Sequence, residues 1–105
     1  MTIRRLDLDV AIYRDRVQVT DRVTGKFVDQ RATYSFSTAT NILAEPRYFE
    51  DTLVKAIRQV LDGGFSLRDP IAHVVACELP LSPTQKSQVE TAFYEAGIGE
   101  VVFEV

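Results

Sequence analysis

Residues 72–105, AHVVACELPLSPTQKSQVETAFYEAGIGEVVFEV, decide the fold. An apolar run, Ala72 to Leu79, is followed by a helical segment, Pro83 to Ala96, and then by a second apolar run, Glu100 to Val105. Ser82-Pro83-Thr84-Gln85 has the form of a capping box with proline at the first helical position, so the helix start is marked twice. Val89, Ala92, Phe93 and Ala96 recur at helical spacing and predict a buried stripe, and Gly97 supplies the left-handed stop. Strand, helix and strand in that order form a parallel crossover, which needs a larger sheet to join. The near-continuous run Val74, Val75, Ala76, Cys77 and Leu79 predicts a central strand buried on both faces.

The preceding seventy residues supply that sheet. Leu6, Leu8, Val10 and Ile12 alternate with Asp7, Asp9, Ala11 and Tyr13, the period of a half-buried strand. Tyr13-Arg14-Asp15-Arg16 predicts a tight turn without glycine, after which Val17 and Val19 resume the alternation. Thr24-Gly25-Lys26 marks a second turn, and a third strand is expected within Lys26 to Ser37, where Ala32, Tyr34 and Phe36 alternate. Asp29-Gln30-Arg31 reads either as a bulge within one strand or as a break between two. Ser37 to Glu45 reads as a connecting loop. Pro46 then opens a helix whose apolar face is Phe49, Leu53, Ile57, Val60 and Leu61. Glu50 and Asp51 are expected in its first turns as partners of the macrodipole, Gly63-Gly64 as its stop, and Phe65 to Asp69 as a short surface connection to Pro70.

Seven elements follow, in the order βββαβαβ. With right-handed crossovers they predict one domain over residues 1–105, α/β in class, with a five-stranded mixed sheet ordered 3-2-1-4-5 and two helices, a ribonuclease H-like arrangement. The chain has 105 residues, of which 46% are hydrophobic and 26% charged, a balance that supports a packed core. The single cysteine, Cys77, allows no internal disulfide, and the start MTIRRLDLDV has no apolar run after its arginines. These features set the expectation of a cytoplasmic protein with neither signal peptide nor membrane span. The net charge is −3 and the arginines are scattered among Asp and Glu, so no nucleic acid partner is expected.

His73 to Val105 resembles a part of the MreB-type actin-like ATPases in which a strand leads through a proline-containing loop into a helix and a further strand. Glu95-Ala96-Gly97 followed by Glu100-Val101-Val102 carries most of the match. Asn41 to Leu61 is similar to the segment leading into that family's first helix, and Tyr13 to Val19 to its first hairpin. The resemblance implies one ribonuclease H-like half of an actin-like fold in a bacterial cytoplasm. That family's first phosphate loop, Asp-x-Gly followed by Thr or Ser, corresponds here to Leu8-Asp9-Val10-Ala11, which has neither glycine nor hydroxyl. The family's second half, with the rest of the nucleotide site, lies beyond the point where this sequence stops, so no cofactor is expected. A weaker likeness, over Arg14 to Lys26 and Phe49 to Leu61, is to small stress-associated proteins of the YjaA type and implies no chemistry.

Ribonuclease H-type nucleases place carboxylates on the first strand, the first helix and the end of the fourth strand to hold two divalent ions. Asp7, Asp9, Glu50, Asp51 and Glu78 occupy roughly those places and define the alternative, a metal-dependent phosphotransfer or nuclease site. Such residues are also ordinary on a solvent-facing strand and near a helix start. His73 has no second ligand or base at a recognised spacing and is expected as a satisfied ring at the start of its strand; no metal centre is expected. Cys77 lies in the most apolar run and reads as an inert core thiol. Tyr13, Tyr34, Phe36, Tyr48 and Phe49 read as packing residues, not as a platform for stacking bases. The last strand offers a hydrophobic row, Val101, Val102, Phe103 and Val105, on a sheet edge without proline or lysine. The expected function is therefore a non-catalytic interaction or regulatory module that pairs through this edge with a second copy or another protein's extended segment.

Overall fold

Alternation from Leu6 onward builds β1 (Asp7–Tyr13), with Leu8, Val10 and Ile12 wholly buried on one face. The computed structural model describes residues 6–61 and 70–105. Antiparallel to β1 runs β2 (Arg16–Asp21), in register Val10 to Val19 and Tyr13 to Arg16, and it buries Val17 and Val19 on the same side. Asp15 closes the turn between them at φ 56°, a left-handed conformation that Asp tolerates better than most residues. The next turn is organised by Asp21, whose Oδ1 accepts from the Val23 and Thr24 amides at 2.9 and 3.3 Å, and Gly25 completes it at φ 78°. It leads into β3 (Phe27–Arg31), paired with β2 from Thr20–Phe27 to Arg16–Arg31.

The third strand is shorter than the alternation predicts. Its pairing runs unbroken through Asp29, Gln30 and Arg31, and there it ends, with the Ala32 amide donating to the Asp15 carbonyl at 2.8 Å. Tyr34 and Phe36 leave the sheet because the Asp15 carboxylate takes the amides of Phe36 and Ser37, both at 2.9 Å. These amides are satisfied by a side chain instead of a strand ladder. Phe36, Ile42 and Leu43 turn inward from this segment and join the core.

Pro46 opens α1 (Pro46–Leu61), which buries Phe49, Leu53, Ala56, Ile57 and Val60. Its first turn holds no acidic residue, so Glu50 and Asp51 lie one turn too late for the macrodipole role expected of them. Asp51 instead pairs with Lys55 at 3.1 Å. The predicted stop Gly63-Gly64 and the connection Phe65 to Asp69 lie outside the described residues.

The crossover follows as β4 (Ile71–Cys77), α2 (Pro83–Glu95) and β5 (Glu100–Phe103). The capping box is formed: the Gln85 amide donates to Ser82 Oγ at 3.1 Å and the Ser82 amide to Gln85 Oε1 at 2.8 Å. At the other end Ile98 N–H donates to Phe93 O at 2.9 Å and Gly97 N–H to Tyr94 O at 3.1 Å, with Gly97 at φ 94°. Those two bonds make a Schellman closure, and the buried pair Phe93 and Ile98 gives it the usual apolar contact.

The five strands lie in the order β3-β2-β1-β4-β5, with β4 parallel to both β1 and β5. Both crossovers run the same way across the sheet, and crossovers of one hand then set both helices on one face. There α1 packs under β2 and β3, α2 packs on β5, and the helices touch each other. One sheet face is therefore left without a helix. This corrects the expectation that β4 is buried on both sides: only Ala72 and Val74 are buried, and Val75 is 36% exposed. The β1–β4 register shifts between Val10 and Ala11, leaving Val75 outside the pairing. Among the described residues no helix is long and apolar enough to cross a membrane.

Candidate functional site

The outer strand β5 is bonded on one side by β4. The Glu100 amide donates to Pro70 O at 3.2 Å and the Glu104 amide to Val74 O at 2.9 Å. In a parallel strand, alternate residues direct both backbone groups to the same neighbour, so the amides and carbonyls of Val101 and Phe103 face the outer edge. Among the described residues no strand pairs with that edge. The predicted hydrophobic row is divided by the same period of two. Val101 and Phe103 pack their side chains on the core below, Val102 stands opposite His73, and Val105 lies beyond the strand, 50% exposed. Lys86 Nζ sits 5.5 Å from the centre of the Phe103 ring, a cation–π contact on the helix side.

Beside β5, on the helix-free face, five side chains from four segments meet. Arg22, just after β2, reaches Asp9 at 2.5 Å, Asp7 at 4.0 Å and Glu104 at 3.1 Å. His73 on β4 lies between carboxylates, its Nε2 2.9 Å from Asp7 Oδ1 and its Nδ1 2.9 Å from Glu104 Oε2. The two His73 contacts have ion-pair distances but not hydrogen-bond direction, so Asp7 Oδ1 and His73 Nδ1 are shielded from water without an aligned partner. The hydrogen bond to Asp9, then the nearby charges of Asp9, Asp7 and Glu104, raise the Arg22 pKa above its ordinary value, with partial desolvation opposing. Spacing along the chain could not show His73's partners. The signal was the pairing of β1 with β4, which sets Asp9 level with His73 and Asp7 two residues away on the same face.

The other end of β1 is built differently. Asp15 accepts not only from the Phe36 and Ser37 amides but also from Ser35 Oγ at 2.9 Å, while its own amide donates to Ser37 Oγ at 3.2 Å. Ser37 Oγ in turn donates to Ile42 O at 2.6 Å. Arg14 joins Glu78 at 3.1 Å and donates to Ala39 O at 2.7 Å. The N-terminal ends of both helices face this end of the sheet, where α/β folds commonly bind ligands, but here the connecting segment 32–45 is tied down over it.

The five carboxylates proposed for a metal site are not brought together. Asp7 and Asp9 point away from the helices at the start of β1, whereas Glu78 follows β4 at the opposite end and is paired with Arg14. From Asp9 to Ile12, which is level with Cys77, and on to Glu78 the separation along the strands is about 13 Å. Glu50 lines a shallow groove of about 460 Å³ between the helices, with Pro46, Arg47, Thr84 and Gln88, and Asp51 faces Lys55. Among the described residues no group of three or more His, Cys, Asp or Glu side chains could hold a metal ion.

Cys77 is half-buried, not enclosed in the core, and burial pushes its thiol pKa up, with a smaller upward push from Glu78 and a lowering by a hydrogen bond from the Leu79 backbone. It lines a groove of about 420 Å³ with Pro80, Leu81, Lys86 and Val105. The aromatic side chains are dispersed. Phe36 and Phe49 meet edge to face in the core at 5.3 Å, Tyr34 and Tyr48 form an exposed tilted pair at 5.2 Å, and Tyr13 lies under Arg16. Compared with known protein families and with curated proteins, the chain matches none.

Proposed function

We propose that this chain is a non-catalytic interaction module, a degenerate domain of ribonuclease H-like or actin-like type, whose β5 edge receives an extended segment of another protein. The observation that carries this reading is the outward-facing backbone of Val101 and Phe103 on an edge strand that has neither lysine nor proline. An added strand would bond to both residues and continue the sheet. The reading of a domain without nucleotide chemistry is supported by Leu8-Asp9-Val10-Ala11, which has neither glycine nor hydroxyl and lies within the paired part of β1.

Charge favours another protein over a second copy. Two β5 strands related by a two-fold axis and centred on Val102 would set Glu100 directly opposite Glu104, and like charges directly opposite destabilise a strand pair. Size-exclusion with light scattering is expected to give a monomer for the natural chain and for Val102→Lys alike. A dimer that Val102→Lys dissolves would overturn the choice of partner. The edge itself is tested by Val101→Pro, which removes an outward amide that β4 does not use. Docking of proline-free alternating Thr-Val hexapeptides, followed by the amide shifts of Val101 and Phe103, should be lost in this variant while the fold is kept.

A further inference from the structure

We propose that His73 is a protonation-dependent catch that fastens the residues following β5 to the middle of the sheet, and so regulates the edge read above as a docking strand. The imidazole lies between a carboxylate of β1 and one that follows β5, each 2.9 Å from a different ring nitrogen. Only the imidazolium presents an N–H on both sides. When the proton leaves to solvent, the ring loses its positive charge, and one nitrogen stands without a hydrogen 2.9 Å from an anionic oxygen. One contact must then open.

The structure decides which. Asp7 is fixed by strand pairing on both sides, through Ile71 and through the Arg22 amide, which donates to Asp7 O at 2.9 Å. Glu104 lies past the end of β5 and, among the described residues, its backbone joins the ladder through its own amide on Val74 O. Glu104 is therefore the side that lets go. The groups facing His73 are Asp7 and Asp9 from β1, Arg22 from the turn after β2, and Glu104, with Val102 across on β5 and Ile71 and Val75 on its own strand. Glu100 stands opposite Ile71. Arg22 also holds Glu104, so deprotonation loosens the tail and does not unfold it.

The test needs no partner, which separates it from the docking reading on which only its regulatory meaning rests. Two-dimensional NMR of the intact chain is taken from pH ~5 to ~8.5 with the His73 ring followed alongside Glu104. The Glu104 carboxyl carbon and backbone amide are expected to shift with the midpoint of the His73 ring. Hydrogen-exchange protection of the Glu104 amide, corrected for intrinsic rates, should fall about tenfold across that midpoint, equivalent to about 1.4 kcal/mol. His73→Gln should make the tail's protection flat with pH. Glu104→Gln, an exposed change that leaves the fold intact, should leave His73 titrating while the response of residue 104 disappears. A Glu104 amide whose protection stays constant through the His73 titration in the natural chain overturns the catch, even if peptides dock on β5. A pH-dependent tail with no docking retains the catch and removes the edge reading.

Discussion

At the Tyr13 end of β1 one carboxylate, Asp15, gathers the backbone of a segment twenty residues away, whereas at the Asp7 end five side chains meet with little backbone involved. The first arrangement fastens a segment that contributes Phe36, Ile42 and Leu43 to the core. The second holds a strand end through the partly exposed Arg22, Asp7, Asp9 and Glu104, gathered around the more enclosed His73. Amides bonded to a half-buried carboxylate lose their partner outright when it is removed, while exposed ion pairs weaken with salt and exchange with water. The Asp15 end of β1 is thus a firm anchor, while at the Asp7 end the residue that can come loose is Glu104 beside the β5 edge, since the elements that move are drawn from the less stable parts of a fold.

The largest effect that can break this contrast is at Phe36, wholly buried against Phe49. Phe36→Ala should cost about 3–5 kcal/mol in urea unfolding. A loss near that of a surface change would mean that segment 32–45 is not part of the core. Asp15→Ala comes next, at about 2 kcal/mol, because the Phe36 and Ser37 amides lose a charged acceptor and a non-glycine residue still has to hold φ 56°. Asp15→Gly should recover part of that loss by relieving the backbone, and the difference between the two separates strain from hydrogen bonding. Ser82→Ala, which removes the α2 cap, is expected to cost about 1 kcal/mol. Arg22→Ala should have a smaller effect than any of these, and one that vanishes in molar salt. A salt-insensitive loss would show that the ionic cluster is structural in the same sense as the Asp15 anchor. The gentlest probe is Cys77, whose thiol pKa is raised mainly by burial, so in the folded chain at pH ~8 it should alkylate more slowly than a free thiol and speed up on unfolding.

The fold was legible where burial repeats with a period. Leu8, Val10 and Ile12 named β1, the stripe of Val89, Ala92 and Phe93 named α2, and Ser82 and Gly97 marked its two ends; handedness then gave the strand order. Reading failed where side chains override a pattern. Tyr34 and Phe36 alternate like a strand, but Asp15 captures the amides beside them. The apolar run of β4 looked doubly buried because nothing local in the sequence tells on which face two successive helices will lie. The candidate site divides in the same way. That β5 is an edge strand follows from topology, whereas the meeting of Arg22, His73 and Glu104 depends on pairs separated by between 31 and 82 positions, which no local spacing reveals.

Pairing of the outer β5 backbone with another protein's strand is open to direct measurement. Amide chemical-shift mapping with the alternating Thr-Val hexapeptides tests it most directly. Shifts centred on Val101 and Phe103 are expected, with slowed amide exchange at both residues, and both should be lost in Val101→Pro. Shifts centred elsewhere, for example on the groove between α1 and α2, or no shift at any residue of β5, would contradict it.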